Sequence, residues 1–298
     1  MTLYSKLSPG EILITTGTSE ALYLFFRVVV KKGMRVGYFF PAFQALYEIP
    51  KLCGADLRPV DILQGKNFEE LFKNSDLIIL NHPHNPTGIS FTEADWEEIR
   101  FLNSRYDRIL LFDEHYRFLD YTGEPGASGF DRIPGRVFAT GSITKSFGVT
   151  GLRVGWILGD SDTLSTLRSY KDYLTHTVNP MSEFLSLHLL KNRSSILSTI
   201  RERILQNISL FRETFPLIHS LTGIGWPSGG LVSFPKLKKG FDSEIYADRL
   251  LENCGVFVLP GKNFEKDGYI RVGFGENRDR FSLGIERWVD WESKNAKQ

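Results

Sequence analysis

Five short apolar runs with no polar alternation constrain the first half of this chain more than any other feature. They are residues 34–40 (MRVGYFF), 76–80 (DLIIL), 108–112 (RILLF), 136–140 (RVFAT) and 154–158 (VGWIL). A strand with one wet face alternates apolar and polar residues; a run without alternation suits a strand buried on both faces, as in a parallel sheet. Helix-like stretches separate the runs. Residues 92–103 (TEADWEEIRFLN) open on a cap candidate and an acidic turn, then place apolar residues near helical spacing. Residues 42–52 and 67–73 read similarly. Strand alternating with helix predicts an α/β domain with helices on both faces of the sheet. Ligands of such sheets sit at the carboxyl ends of the strands, and the polar clusters of this chain fall there.

The last part has another rhythm. Residues 179–215 read as mostly helical, 231–234, 256–259 and 269–274 as strands, and 242–253 and 276–291 as helices. That is an α+β pattern. It predicts a large domain over 1–179 and a smaller C-terminal domain over 180–298. The Lys plus Arg count of 36 against 35 Asp plus Glu argues against a broad nucleic-acid footprint. Two distant cysteines, Cys53 and Cys254, fit a reduced compartment without a disulfide framework. The N-terminus lacks a signal-peptide core, and no apolar run reaches the roughly 20 residues of a membrane span. The expectation is a cytoplasmic protein off the membrane, in which the Asn192 and Asn207 sequons are fortuitous.

Four clusters carry candidate chemistry. Thr16-Gly17-Thr18-Ser19-Glu20 opens an apolar helix, where free N–H groups and the Thr18 and Ser19 hydroxyls suit a phosphate; a plain helix cap has the same composition. Asn81-His82-Pro83-His84-Asn85-Pro86-Thr87-Gly88 follows DLIIL; its prolines and Gly88 stiffen a loop that can aim Asn85 inward. His82 and His84 lack a third ligand for a metal. Asp113-Glu114-His115-Tyr116 follows RILLF. A buried acid there calls for a cationic partner, and in an extended segment Asp113 and Glu114 point to opposite sides. Finally, Ser142-Ile143-Thr144-Lys145 is followed eight residues on by Arg153 in Gly151-Leu152-Arg153-Val154-Gly155-Trp156, so two cations can meet one anionic ligand. A dinucleotide site fails locally, because Gly223-x-Gly225 lacks a third glycine and the strand–turn–helix setting.

GTSEAL, NPTG, DEHY, SxxK and GxRxGW in this order resemble the fold type I pyridoxal-phosphate enzymes, and within them the class I/II aminotransferases of histidinol-phosphate and aspartate type. The resemblance runs from about Pro9 to near Arg287. It implies that Lys145 forms a Schiff base with the cofactor aldehyde. By the same resemblance Asp113 pairs with the pyridine nitrogen, Tyr116 and Asn85 bond the ring's phenolic oxygen, and Phe43 stacks on the ring. Thr18, Ser19, Ser142 and Arg153 would hold the phosphate, and Arg271 would clamp a substrate α-carboxylate. It also implies a homodimer acting on an α-amino acid and a 2-oxo acid. The opening looks like the stretch just before the phosphate loop of relatives, so their N-terminal arm and first small-domain segment are expected to be missing here. Tyr4 is by position a poor substitute for the aromatic that this region supplies. His115 has no role by resemblance. Transamination is the leading expectation. A decarboxylase, lyase or cyclase reaction on the same lysine, or a non-catalytic remnant, are the alternatives.

Overall fold

The computed structural model describes residues 3–5, 7–121 and 126–295. Seven strands form one sheet: β1 (Ile12–Thr15), β2 (Arg35–Phe40), β3 (Asp56–Asp61), β4 (Leu77–Asn81), β5 (Ile109–Asp113), β6 (Val137–Ser142) and β7 (Gly155–Leu158). Their spatial order is β1-β7-β6-β5-β4-β2-β3. Strands β3, β2, β4, β5 and β6 pair in parallel, and β7 runs antiparallel to β6 and β1. The fold is thus α/β with a mostly parallel sheet. The apolar runs account for five strands, and the fifth of them is the antiparallel one.

Double-sided burial is visible residue by residue. On β4, Ile78 and Leu80 enter one core while Leu77 and Ile79 enter the other; on β5, Leu110 and Phe112 oppose Ile109 and Leu111. Helices α1 (Thr18–Val29) and α2 (Ala45–Leu52) cover the second face through Leu22, Phe25, Phe26 and Leu46. Helices α3 (Phe68–Asn74) and α4 (Glu93–Tyr106) cover the first through Phe68, Phe72, Trp96 and Ile99. The one-turn α5 (Gly129–Arg132) adds Phe130 to the first face, and α6 (Ser161–Lys171) adds Leu164 and Leu167 to the second. The start of α4 is set by Thr92, whose hydroxyl accepts from the Asp95 N–H at 3.3 Å while the Asp95 carboxylate accepts from the Thr92 N–H at 2.6 Å. This reciprocal cap satisfies two donors that the helix itself leaves open.

Beyond residue 179 come α7 (Pro180–Lys191), α8 (Arg193–Thr214), α9 (Ser243–Cys254) and α10 (Arg278–Asn295). Their strands are short: β8 (Leu221–Gly223) pairs with β10 (Lys236–Leu237), and β9 (Val232–Ser233), β11 (Leu259–Pro260) and β12 (Ile270–Gly273) form a sheet in the order β11-β12-β9. A third core gathers Ile204, Phe211, Tyr246, Leu250, Ile270, Phe274 and Trp288. Helix α8 joins two cores: Leu197 packs with the large sheet, and Ile204 to Phe211 with the C-terminal core.

The loop after β4 meets this C-terminal part directly. The backbone N–H groups of Ser228 and Gly229 donate to the Gly88 carbonyl at 2.9 and 3.0 Å. Gly88 has φ +74°, and a Cβ there would lie 2.3 Å from the Val232 carbonyl oxygen. Only glycine combines that backbone angle with that approach.

Tyr4 is a buried core residue. Its hydroxyl accepts from the Trp156 indole N–H at 2.7 Å, and the Arg117 guanidinium lies 4.0 Å from its ring centre. Both cysteines are free thiols. Among the described residues no helix is long and apolar enough to cross a membrane.

Candidate active site

At the carboxyl end of the sheet, Asn81 of β4 and Asp113 of β5 are register partners. They follow Ile79 and Leu111 in the alternation, so both side chains emerge on one face. The Asn81 amide donates to the Asp113 carboxylate at 3.1 Å and to its carbonyl at 2.9 Å, and Asn81 Oδ1 accepts from the Asn85 N–H at 2.6 Å. The Thr140 hydroxyl donates to the other carboxylate oxygen at 3.0 Å. No cation pairs with Asp113 among the described residues, and burial pushes its carboxyl up to about 6, against the lowering effect of Thr140 and of the His115 N–H. The cationic partner expected from the sequence is not supplied by any described residue.

Glu114 turns the other way. It accepts from the Ser128 hydroxyl at 2.7 Å and the Gly129 N–H at 2.8 Å, with Arg117 at 3.9 Å. Asp113 and Glu114 thus form no carboxylate pair, in keeping with the period-two geometry of a strand. His82 and His84 are spent locally. His82 accepts from the Phe91 N–H at 3.0 Å and faces Asp120 at 3.3 Å, and His84 meets the Thr87 hydroxyl at 2.8 Å.

The start of α1 lies beside this pair. Gly17 precedes the helix with φ +85°, and no side chain caps the helix. A Cβ on Gly17 would fall 2.7 Å from Arg153 Nη2. The absent Cβ lets the guanidinium settle against the positive end of a helix, an arrangement that suits an anion. Thr18 and Ser19 supply hydroxyls in the first turn. Ser142, at the end of β6, accepts from the Thr144 N–H at 3.2 Å and lies 3.0 Å from His115 Nδ1.

Arg271, on β12, reaches the site from the C-terminal sheet. Its Nη1 donates to Asn85 Oδ1 at 3.0 Å, and its guanidinium lies 5.2 Å from the Phe264 ring centre. Burial, then Arg271, then Arg153, hold the Lys145 ammonium below its ordinary range. Burial pushes the Tyr116 phenol up to about 12, with Arg271 opposing and Asp113 adding to the rise.

One cavity of about 380 Å³ collects these groups. Thr18, Ser19, Phe43, Asn85, Asp113, Tyr116, Lys145, Arg153 and Arg271 line it. Ser142 is not among the lining residues and lies one hydrogen bond from two of them, His115 and Thr144. Asn81, His115, Thr144 and Thr150 also line the cavity and were not singled out in the sequence as site residues. The signal for Asn81 was its place directly after an apolar run, one strand over from Asp113. A larger cavity, of about 540 Å³, lies elsewhere, between residues 3–5, α5 and the start of α8.

Residues 2–282 match the family described as aminotransferase class I and II. The chain belongs to this family. Among curated relatives it is 29% identical over 286 residues to capreomycidine synthase of Streptomyces vinaceus, covering 93% of this chain and 73% of that one. It is 26% identical to an aspartate aminotransferase of Thermotoga maritima, covering 97% and 77%. A solved PLP-dependent aminotransferase from Streptococcus suis superimposes with a TM-score of 0.87 at 25% identity, covering 98% of this chain and 79% of that one. The fold of a PLP-dependent cyclase, OrfR, is also shared, with a TM-score of 0.90 at 20% identity.

The cofactor of the class I and II aminotransferase family is pyridoxal phosphate. The donor set around the cavity fits it. A buried carboxylate without a cation suits a protonated pyridine nitrogen, and an uncapped helix start with an arginine and hydroxyls suits a phosphate.

Proposed function

We propose that this chain is a pyridoxal-phosphate-dependent aminotransferase that moves an amino group between an α-amino acid and a 2-oxo acid. The observation that carries the reading is one cavity lined by a lysine with a depressed pKa, a buried uncharged-paired carboxyl and an arginine from the other sheet. When bound, the cofactor supplies an electron sink for the amino acid's α-carbon. The chain's own residues do the rest. Thr18, Ser19, Ser142 and Arg153 would hold the phosphate, and Phe43 would pack on the ring. Asp113, its two oxygens fixed by Asn81 and Thr140, would keep the pyridine nitrogen protonated. Asn85 and Tyr116 would hydrogen-bond the phenolic oxygen. Arg271 binds the α-carboxylate as a planar fork, which orients the bonds at the α-carbon. Lys145 Nζ, eased toward neutrality by burial and two arginines, takes and returns the α-carbon proton.

The exposed apolar side chains of Tyr173, Met181 and Phe184 around α7 support a homodimer, and we place the enzyme in the cytoplasm. A second reading, a reaction other than transamination at the same site such as ring closure of an amino acid, draws support from the similarity to a protein named as a synthase, capreomycidine synthase. The test is to supply amino acid donors with a 2-oxo acid acceptor. Transamination yields a new 2-oxo acid and a new amino acid in equal amounts, and Lys145→Ala abolishes both. Consumption of the donor without 2-oxo acid release would favour ring closure.

A further inference from the structure

His115 follows Asp113 by two residues and lines the same cavity. Its Nδ1 lies 3.2 Å from Thr18 Oγ1 and 3.0 Å from Ser142 Oγ. One ring nitrogen thus bridges the first turn of α1 and the end of β6. Ser142 Oγ accepts from the Thr144 N–H, and its own proton is free to be donated to Nδ1. When a hydroxyl donates to Nδ1, the neutral ring carries its own proton on Nε2.

An anion at the start of α1 changes that count. A phosphate offers only acceptors and draws the hydroxyl protons of Thr18 and Ser142 toward itself. An Nδ1 lone pair would then face oxygen lone pairs at about 3 Å. The conflict is removed if the proton resides on Nδ1, which then donates to one of the two oxygens. No proton is gained or lost by the ring. Burial, with Lys145 and Arg153 nearby, keeps the imidazole neutral, its pKa pushed down to about 4.

We propose that His115 is a positioning residue for the phosphate end of the cavity, tying the Thr18 and Ser142 hydroxyls together and changing tautomer when an anion binds between them and Arg153. This rests on the reading that Thr18, Ser142 and Arg153 hold the cofactor's phosphate. The alternative is a spacer that only fills the gap between α1 and β6.

The experiment compares pyridoxal phosphate with pyridoxal, which lacks the phosphate, by absorbance titration of the full chain stripped of cofactor. His115→Phe keeps a ring without nitrogen, and His115→Asn returns a polar atom near Nδ1. His115→Phe is expected to weaken pyridoxal phosphate about tenfold, the scale of one net hydrogen bond, and to leave pyridoxal unchanged. His115→Asn recovers most of the loss. Nitrogen-15 spectra of histidine-labelled protein are expected to show one imidazole, absent in His115→Asn, moving its proton from Nε2 to Nδ1 when inorganic phosphate is added. A spacer would lower affinity for both ligands alike and keep its tautomer, which overturns the proposal. Arg153→Ala separates the two levels. If it discriminates between the ligands and His115→Phe does not, the role of His115 fails alone. If neither variant discriminates, the phosphate reading fails and the proposal falls with it.

Discussion

Arg271 Nη1 donates to Asn85 Oδ1 over 3.0 Å, which links β12 of the C-terminal sheet to the loop after β4. The bond fixes the Asn85 amide with its oxygen toward Arg271 and its NH₂ as the donor end. It also holds the guanidinium in the cavity beside Lys145.

In the proposed reaction an incoming α-carboxylate takes over this guanidinium. Arg271→Lys keeps the charge and loses the fork, so kcat/KM for the amino acid is expected to fall roughly 10- to 100-fold. Cofactor affinity is expected to change little. Steady-state kinetics with a pyridoxal phosphate titration checks both. An unchanged kcat/KM would remove Arg271 from substrate binding.

Gly88→Ala tests the junction between the two sheets. The new Cβ meets the Val232 carbonyl oxygen at 2.3 Å and Pro227 Cβ at 2.5 Å, with φ +74°. Urea unfolding is expected to show a loss of roughly 2 kcal/mol or more. Displacement of the loop that carries Asn85 should weaken cofactor binding as well. A variant as stable as the parent would contradict the close approach.

Asp113 and Glu114 should each withdraw stability from the cofactor-free protein as pH rises, against the opposite contribution of His82, His84 and His115, whose imidazoles burial holds below their ordinary range. Burial raises Asp113 from 3.8 to about 6 and Glu114 from 4.5 to about 7. The folded state keeps these protons at pH values where the unfolded chain has released them. The contribution of the two carboxyls to stability therefore declines from about pH 4 to about pH 7 and levels above. Measured against Asp113→Asn, the parent's urea midpoint should drop as pH rises through the lower part of this range. Pyridoxal phosphate should stabilise more at high pH, where Asp113 is charged. A slope that Asp113→Asn leaves intact would assign the effect elsewhere.

Tyr173, Met181 and Phe184 are 88%, 67% and 67% exposed in the single chain. If they meet a second copy, Phe184→Glu buries a charge in the interface. Sedimentation is expected to show a dimer for the parent and monomer for this variant. A monomeric parent would contradict the homodimer.

The sequence made the middle of the sheet legible and its edges less so. DLIIL and RILLF are apolar throughout because both faces of β4 and β5 are covered. Strand β3, DLRPVD, is an edge, mostly exposed and interrupted by Pro59, which an edge strand tolerates because one side needs no N–H donor. Strand β1 is the other edge and only four residues long. The strands of the C-terminal part span two to four residues, too few for a period to register. The cavity residues that the motifs carried sit at strand ends and helix starts. Asn81 and His115 escaped because their meaning lies in register: Asn81 matters by standing opposite Asp113, and His115 by lying between two hydroxyls 97 and 27 residues away.

The most direct test of the account is the visible spectrum of the full chain with pyridoxal phosphate, through one complete cycle. The account predicts a band that Lys145→Ala abolishes. An effective amino acid should bleach it with release of one equivalent of 2-oxo acid, and a 2-oxo acid should restore it. A band that persists while the amino acid is consumed, or no Lys145-dependent band at all, would contradict transamination by this chain.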